Sequence, residues 1–403
     1  MKQKGITLVE LLVAMTIGLG ITLAVSSVLI ATENHKRTTT STNDAQQTGS
    51  YGVYALDKAL RGAGSGIAAS AFPPDVGVFG CKLNAGPAGA IFPRATPFPK
   101  PFAGFIGGVS IANPLLVAPV LIGRNQSLGG SDVIMVMGGS GSAGGVSRQI
   151  TGGGSATTAT LDNTVGFAIN DLVLVSQSGV PDCLIEQVSA PFTPPTPTLN
   201  FGGIYSAATA ATTTMAALAA NTSSYVTPLG NAAANNIQFM LFGVDDNRTL
   251  YSYDLLQNLN VFGGVGTDAA QAIADGVVQM NALYGIDTNG DGKQDAWTAP
   301  DATTAPAWDV NTVMTHPAQM KQIVSVRVAL VVRGQYYDLN GGTAAVPIPA
   351  SPATLTIFNG LVNSAGTSLA QNINLNATER QFRYRVFEFT VPLRNMLILA
   401  GGP

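Results

Sequence analysis

From Ile6 to Ala31 the residues are apolar or small, with one exception, Glu10. As a helix rising 1.5 Å per residue, these 26 residues reach about 39 Å, enough to cross a hydrocarbon core of about 30 Å. Lys2 and Lys4 precede the run and no further Lys or Arg follows until Lys36, so the positive-inside rule keeps the short leader in the cytoplasm and sends the remaining chain outward. A carboxylate near the cytoplasmic end of such a span is costly and calls for a partner. An ordinary secretory signal, with Ala24-Val25-Ser26 as its cleavage site, and an unprocessed signal anchor are the competing readings. Both leave Glu10 unexplained, and the apolar run continues past that site.

Beyond Ala31 the chain turns polar through about Gln47, without Pro. Val53, Leu56 and Leu60 then recur at helical spacing, and Arg61-Gly62-Ala63-Gly64 is a stop signal. The pattern predicts one stem from Ile6 to about Arg61, loosened around Gly49, with Val53, Leu56 and Leu60 lying on a sheet. Two helices joined by a polar linker is the alternative.

After the stem, short Val-, Ile-, Leu- and Phe-rich runs alternate with Gly, Pro, Asn and Asp, the pattern of strands and turns. Strands are expected at 132–137, 172–175, 184–188, 237–242, 249–253, 277–284, 323–332 and 382–391. The alternation from Val324 to Val332 predicts a strand buried on one face, and Asp245-Asp246-Asn247-Arg248 a hairpin turn. The Gly/Ala/Thr-rich stretches 85–119, 138–160, 190–230 and 341–375 read as loops, the last two decorating the surface of a single sheet domain.

Only 11 % of residues are charged and the net charge is −3, with no basic stripe, which argues against nucleic acid as a partner. The two cysteines, Cys81 and Cys183, permit one disulfide in an exported chain, two buried thiols being the alternative. The segment Asp287-Thr288-Asn289-Gly290-Asp291-Gly292-Lys293-Gln294-Asp295 matches the first half of an EF-hand-type loop. Calcium is its expected ligand, through the side chains of Asp287, Asn289 and Asp291, the Lys293 carbonyl, and Asp295 directly or through water. Thr298 stands where a twelfth-position acid belongs, and Asp301 is the nearest substitute. With only His35 and His316, the chain has little from which to build a triad or a His-based zinc site, and 138–145 lacks the Gly-Lys-Ser/Thr of a phosphate loop. It is therefore not expected to be an enzyme.

Lys4-Gly5 followed by Ile6-Thr7-Leu8-Val9-Glu10 resembles a type IV prepilin leader, with Ile where that family usually has Phe. The resemblance implies cleavage by a prepilin peptidase after Gly5 and methylation of the new Ile6 amine. It also implies an assembly role for Glu10, which would neutralise the amine of a neighbouring subunit.

Four further segments resemble the PilW-like minor pilins. They are Leu56-Asp57-Lys58-Ala59-Leu60-Arg61-Gly62-Ala63-Gly64 with Gly80-Cys81; Asp182-Cys183; Asp275-Gly276-Val277 and Tyr284-Gly285-Ile286-Asp287; and Arg383 to Phe387 with Pro392-Leu393-Arg394-Asn395. The implied plan is α+β: leader 1–5, stem helix 6–62, and an antiparallel β-rich headpiece 63–403 with long Gly/Ala/Thr-rich loops. The implied function is that of a minor pilin in pilus initiation and assembly, at or near the tip. It would reside in the inner membrane before joining the cell-surface pilus, with other minor pilins, the major pilin and a tip adhesin as partners. A J-type pseudopilin of a type II secretion system and a pilus-displayed adhesive module are the alternatives.

Overall fold

The computed structural model describes residues 7–68, 78–86, 91–109, 113–139, 146–257, 269–338 and 348–400. One helix, α1 (Leu8–Gly62), holds 55 residues and runs about 82 Å. No linker divides it. Gly49, expected to loosen the stem, is instead a slot for an aromatic ring: a Cβ there would sit 2.1 Å from the Phe387 ring. Leu56 and Leu60 are fully buried, as the spacing predicted, and Val53 is half-buried.

Contacts divide the chain into two compact units. The first comprises Met1–Gln47, Arg333–Leu355 and Asn374–Arg385. In it Asp338 pairs with Arg383 at 2.5 Å and accepts from Thr38 at 3.4 Å, and the Arg333 guanidinium stacks 4.0 Å from the Phe382 ring centroid.

The second unit, Thr48–Val332, Thr356–Ile373 and Val386–Pro403, holds the main β structure. One five-stranded sheet has the order β1 (Lys82–Asn84), β7 (Asp182–Gln187), β6 (Asp171–Gln177), β9 (Ser224–Asn231), β4 (Arg148–Gln149). A second runs β12 (Gln271–Asp275), β11 (Thr249–Asp254), β10 (Gln238–Val244), β3 (Val133–Gly138), β2 (Val120–Gly123). A four-stranded sheet orders β14 (Ala296–Thr298), β13 (Val277–Ile286), β15 (Ile323–Arg333) and β18 (Tyr384–Pro392). Short pairs join β5 (Thr158–Thr160) to β8 (Thr198–Asn200) and β16 (Thr354–Ile357) to β17 (Gln371–Asn374). The β-rich α+β class is as expected. β1–β7 is parallel, whereas β6 pairs antiparallel with β7 and β9, β10 with β3 and β11, and β13 with β15. The turn 245–248 joins β10 to β11, with Asp245 Oδ1 accepting the Thr249 N–H at 2.9 Å.

The single decorated sheet is a correction. Segments 138–160 and 190–230, expected as loops, supply β4, β5, β8, β9 and the helix α2 (Met215–Ala219). They bury Ile150, Ala159, Leu199, Phe201, Met215 and Leu218 in one core with Leu161, Val173, Val175 and Leu184. Ala, Thr and Gly contribute little hydrophobic contrast along the chain, so the few large residues that anchor this core form no period until the strands pair. Segment 341–375 likewise yields β16 and β17. Segment 85–119 carries an aromatic plug: Arg94, 1 % exposed, donates to the Tyr253 hydroxyl at 2.9 Å and lies 4.8 Å from the Phe98 ring centroid.

β15 also departs from expectation. It is buried on both faces, with Ala329 and Val331 as enclosed as Val326 and Val328. A Cβ at Gly52 would meet Leu330 at 3.3 Å and Leu250 at 3.5 Å, which places the distal stem against both the four-stranded sheet and β11. Backbone and side-chain bonds stitch the second sheet to the third: Asp132 accepts the Ala282 N–H at 2.8 Å, and the Tyr284 hydroxyl accepts the Ile122 N–H at 2.5 Å.

Candidate assembly site on the stem

The stem begins with a reciprocal cap. Glu10 Oε2 accepts the Thr7 N–H and the Thr7 hydroxyl, each at 2.9 Å, while Thr7 Oγ1 accepts the Glu10 N–H at 3.3 Å. Thr-x-x-Glu at a helix start is the capping-box spacing, in which two otherwise unsatisfied N–H groups find partners. Thr7 is a residue the sequence reading did not assign, although that spacing announces it. Gly5 and Ile6, the cleavage and methylation positions, lie outside the described residues.

Among the described residues, nothing covers the helix from Glu10 to Ile30. Its large apolar side chains from Leu8 to Ile30 are 51–75 % exposed, although the segment is long and apolar enough to cross a membrane. Such a surface is stable only in lipid or against other apolar helices.

At the other end the helix stops against the headpiece. A Cβ at Gly138 would lie 2.1 Å from the Gly62 carbonyl oxygen, so only Gly lets the end of β3 pass so close. The Gly64 N–H donates to the Met137 carbonyl at 2.8 Å. Asn395 Nδ2 donates to the Ala63 carbonyl at 2.9 Å, satisfying one of the terminal acceptors of α1. The resemblance singled out Leu393-Arg394-Asn395 as a motif; its contact with the stem emerges only from the structure.

Cys81 and Cys183 form a disulfide, Cα to Cα 5.8 Å, beside the parallel β1–β7 pair in which Leu83 faces Cys183. On the same β7 strand, Asp182 Oδ2 accepts the Thr212 N–H at 3.0 Å. Glu186 is 1 % exposed and its Oε1 has no hydrogen-bond partner. Burial pushes this carboxyl up to about 7, against the smaller opposing effects of Ser206 and the Ala207 amide. Asp132 is raised to about 6 by burial despite the Asn125 and Ala282 N–H groups and nearby Arg124. Neither buried acid was singled out from the sequence, where a lone acid inside a strand carries no mark of its burial.

The acidic loop closes on itself. Asp287 Oδ1 accepts the N–H groups of Asn289 and Gly290, and its Oδ2 that of Gly292 at 2.7 Å. Asn289 Oδ1 takes the Asp291 N–H, Asp291 Oδ1 the Lys293 N–H, and Asp295 Oδ2 the Thr288 N–H and hydroxyl. These oxygens are of the kind a hard cation takes. Among the described residues, however, no three or more His, Cys, Asp or Glu side chains are gathered as a metal-holding group. Thr298, at the twelfth position, is buried in β14. His35 and His316 are exposed, and the His316 ring bonds only its own helix turn.

Residues 1–25 match the family model of the prokaryotic N-terminal methylation motif, and residues 242–395 match that of the type IV pilus-assembly protein W. No curated protein and no solved structure matches the chain. The second match opens in β10 and closes on Asn395, the residue that caps the stem. The chain thus carries the prokaryotic N-terminal methylation motif at its start and, over residues 242–395, is similar to the type IV pilus-assembly protein W family.

Proposed function

We propose that the protein is a minor pilin which enters a pilus through its stem and takes part in initiating assembly at or near the tip. Its partners are the prepilin peptidase, other minor pilins and the major pilin, and its headpiece lies outside the inner membrane. The observation that carries this reading is the stem itself: an apolar helix left uncovered from Leu8 to Ile30, with one carboxylate held at its start. Cleavage after Gly5 would place a cationic amine one residue before Thr7. In a bundle of apolar stems, Glu10 of one subunit then neutralises the amine of the next, because an unpaired charge there costs several kcal/mol. Each subunit is admitted in register with its neighbour.

Glu10→Ala is expected to leave membrane insertion and headpiece folding unchanged while reducing recovery in sheared pili by about tenfold or more. Cell fractionation and quantitative immunodetection measure both. Wild-type recovery of the variant in pili would remove the pairing from the account.

A second proposal concerns residues 287–295, which we infer to take calcium by turning Asp291 and Asp295 inward about the bend that the Gly292 N–H already holds on Asp287. Isothermal titration of the full chain with calcium is expected to give saturable heat below millimolar concentration, lost in Asp287→Ala. No heat from the folded wild type up to millimolar calcium overturns it.

A further inference from the structure

The segment 356–373, which the stem and the pilus reading leave without a role, forms one wall of a cavity of about 310 Å³ in the second unit. That volume is at the small end of small-molecule sites. The opposite wall is the stretch from Ala299 to Thr304, with Arg124 beside it.

The charges of the cavity cancel. Arg124 and Asp301, the charged residues lining it, pair with each other at 2.5 Å. Asp301 Oδ1 is further engaged by the Thr303 N–H and hydroxyl. What remains for a ligand is neutral: the Ser368 hydroxyl, which accepts the Ala370 N–H at 3.3 Å and keeps its own proton to donate, the Thr304 hydroxyl, which donates to the Pro306 carbonyl at 3.4 Å and keeps its lone pairs, and the amide of Asn363. Asn363 Oδ1 accepts the N–H groups of Ala365 and Thr367 at 3.0 and 2.8 Å, which sets its rotamer and leaves its amide N–H₂ as the donor for a guest. Ala299 and Leu369, both buried, supply apolar surface among these polar groups. Trp297, half-buried on β14, bridges to the backbone of Asn363.

We propose that this cavity is a binding site for a neutral saccharide. Hydroxyl and amide groups around an apolar floor, with no net charge, match a molecule that carries many hydroxyls over C–H faces and bears no charge of its own. An anionic ligand would have to break the Arg124–Asp301 pair. An apolar ligand would strand the amide and hydroxyls without partners, a loss that small sites do not tolerate. The proposal does not depend on the stem pairing.

The test uses the full chain in a detergent without a sugar headgroup. Saturation-transfer NMR with lactose and N,N′-diacetylchitobiose is the readout, with 3′-sialyllactose as the charged comparison. Trp fluorescence gives an independent titration, since Trp297 adjoins the site and Trp308 is buried. Saturation transfer to at least one neutral disaccharide is expected. Asn363→Asp, which keeps the Oδ1 acceptor for the loop and removes the donor, is expected to weaken binding about tenfold. Ser368→Trp, at an exposed position, fills the cavity and abolishes it. Glu10→Ala binds as wild type, which separates failure of this site from failure of the assembly reading. Absence of transfer to both neutral sugars, transfer to sialyllactose alone, or equal binding by Ser368→Trp each overturns the proposal.

Discussion

Replacing both Cys81 and Cys183 with Ser is expected to lower the unfolding free energy by about 4–5 kcal/mol, the chain-entropy value for a closed loop of about a hundred residues. The two cysteines are 102 positions apart, so the reduced unfolded chain regains the freedom of a long loop. The native side loses as well. β1 is a three-residue strand paired in parallel with β7, a pairing that no hairpin can hold in place, and the bridge sits one residue before it. Detachment of β1 from β7 should therefore precede global unfolding, seen as early hydrogen exchange at Lys82, whose N–H donates to the Pro181 carbonyl beside β7. Urea titration of the full chain followed by circular dichroism gives the free energy. A loss under about 1 kcal/mol would show that the β1–β7 pair needs no covalent support.

Glu186→Gln is expected to stabilise the protein at pH 8 by about 2–3 kcal/mol and to leave it unchanged at pH 4. Glu186 is raised from 4.5 to about 7 by burial, so the folded state favours its protonated form. The stability contributed by that proton is fully present below about pH 4.5 and is lost as pH rises through 7. Glutamine retains the shape without the charge. The physical source is visible: Oε1 has no hydrogen-bond partner, and the Ser206 and Ala207 bonds do not offset the cost of desolvating the buried carboxylate. Calorimetric melting of both proteins from pH 4 to pH 8 checks this, since the Asp132 contribution is common to both and cancels. Parallel curves would mean that the carboxylate is compensated.

The parts of the fold legible in one dimension were those with a strong local signal. The stem, its stop at Arg61-Gly62-Ala63-Gly64 and the buried pair Leu56 and Leu60 followed from run length and helical spacing. The turn at Asp245 followed from its residue types. Strands rich in Val, Ile and Leu, such as β6, β13 and β15, were found where expected, although the alternation in β15 suggested a solvated face that the structure covers. Gly49 was misread because a close approach by Phe387, 338 positions away, leaves no local trace. The core around Leu199, Met215 and Leu218 was missed because its residues are scattered through Ala, Thr and Gly.

At the candidate assembly site, Glu10 was conspicuous because a carboxylate in an apolar run has no bland explanation, while its partner Thr7, marked only by the Thr-x-x-Glu spacing, drew no attention among small residues that suit a span equally well. By itself, then, the sequence determined that this chain carries a membrane-length stem with one built-in charge, followed by a β-rich headpiece, since apolar run length and periodicity are local properties. Tertiary structure alone decided that Asn395 would cap the stem, that β1 would lie beside β7, and that Glu186 would be sealed with one carboxyl oxygen unpartnered. Each of these rests on groups brought together from distant positions, and the free energy of burial and pairing belongs to the meeting rather than to either segment.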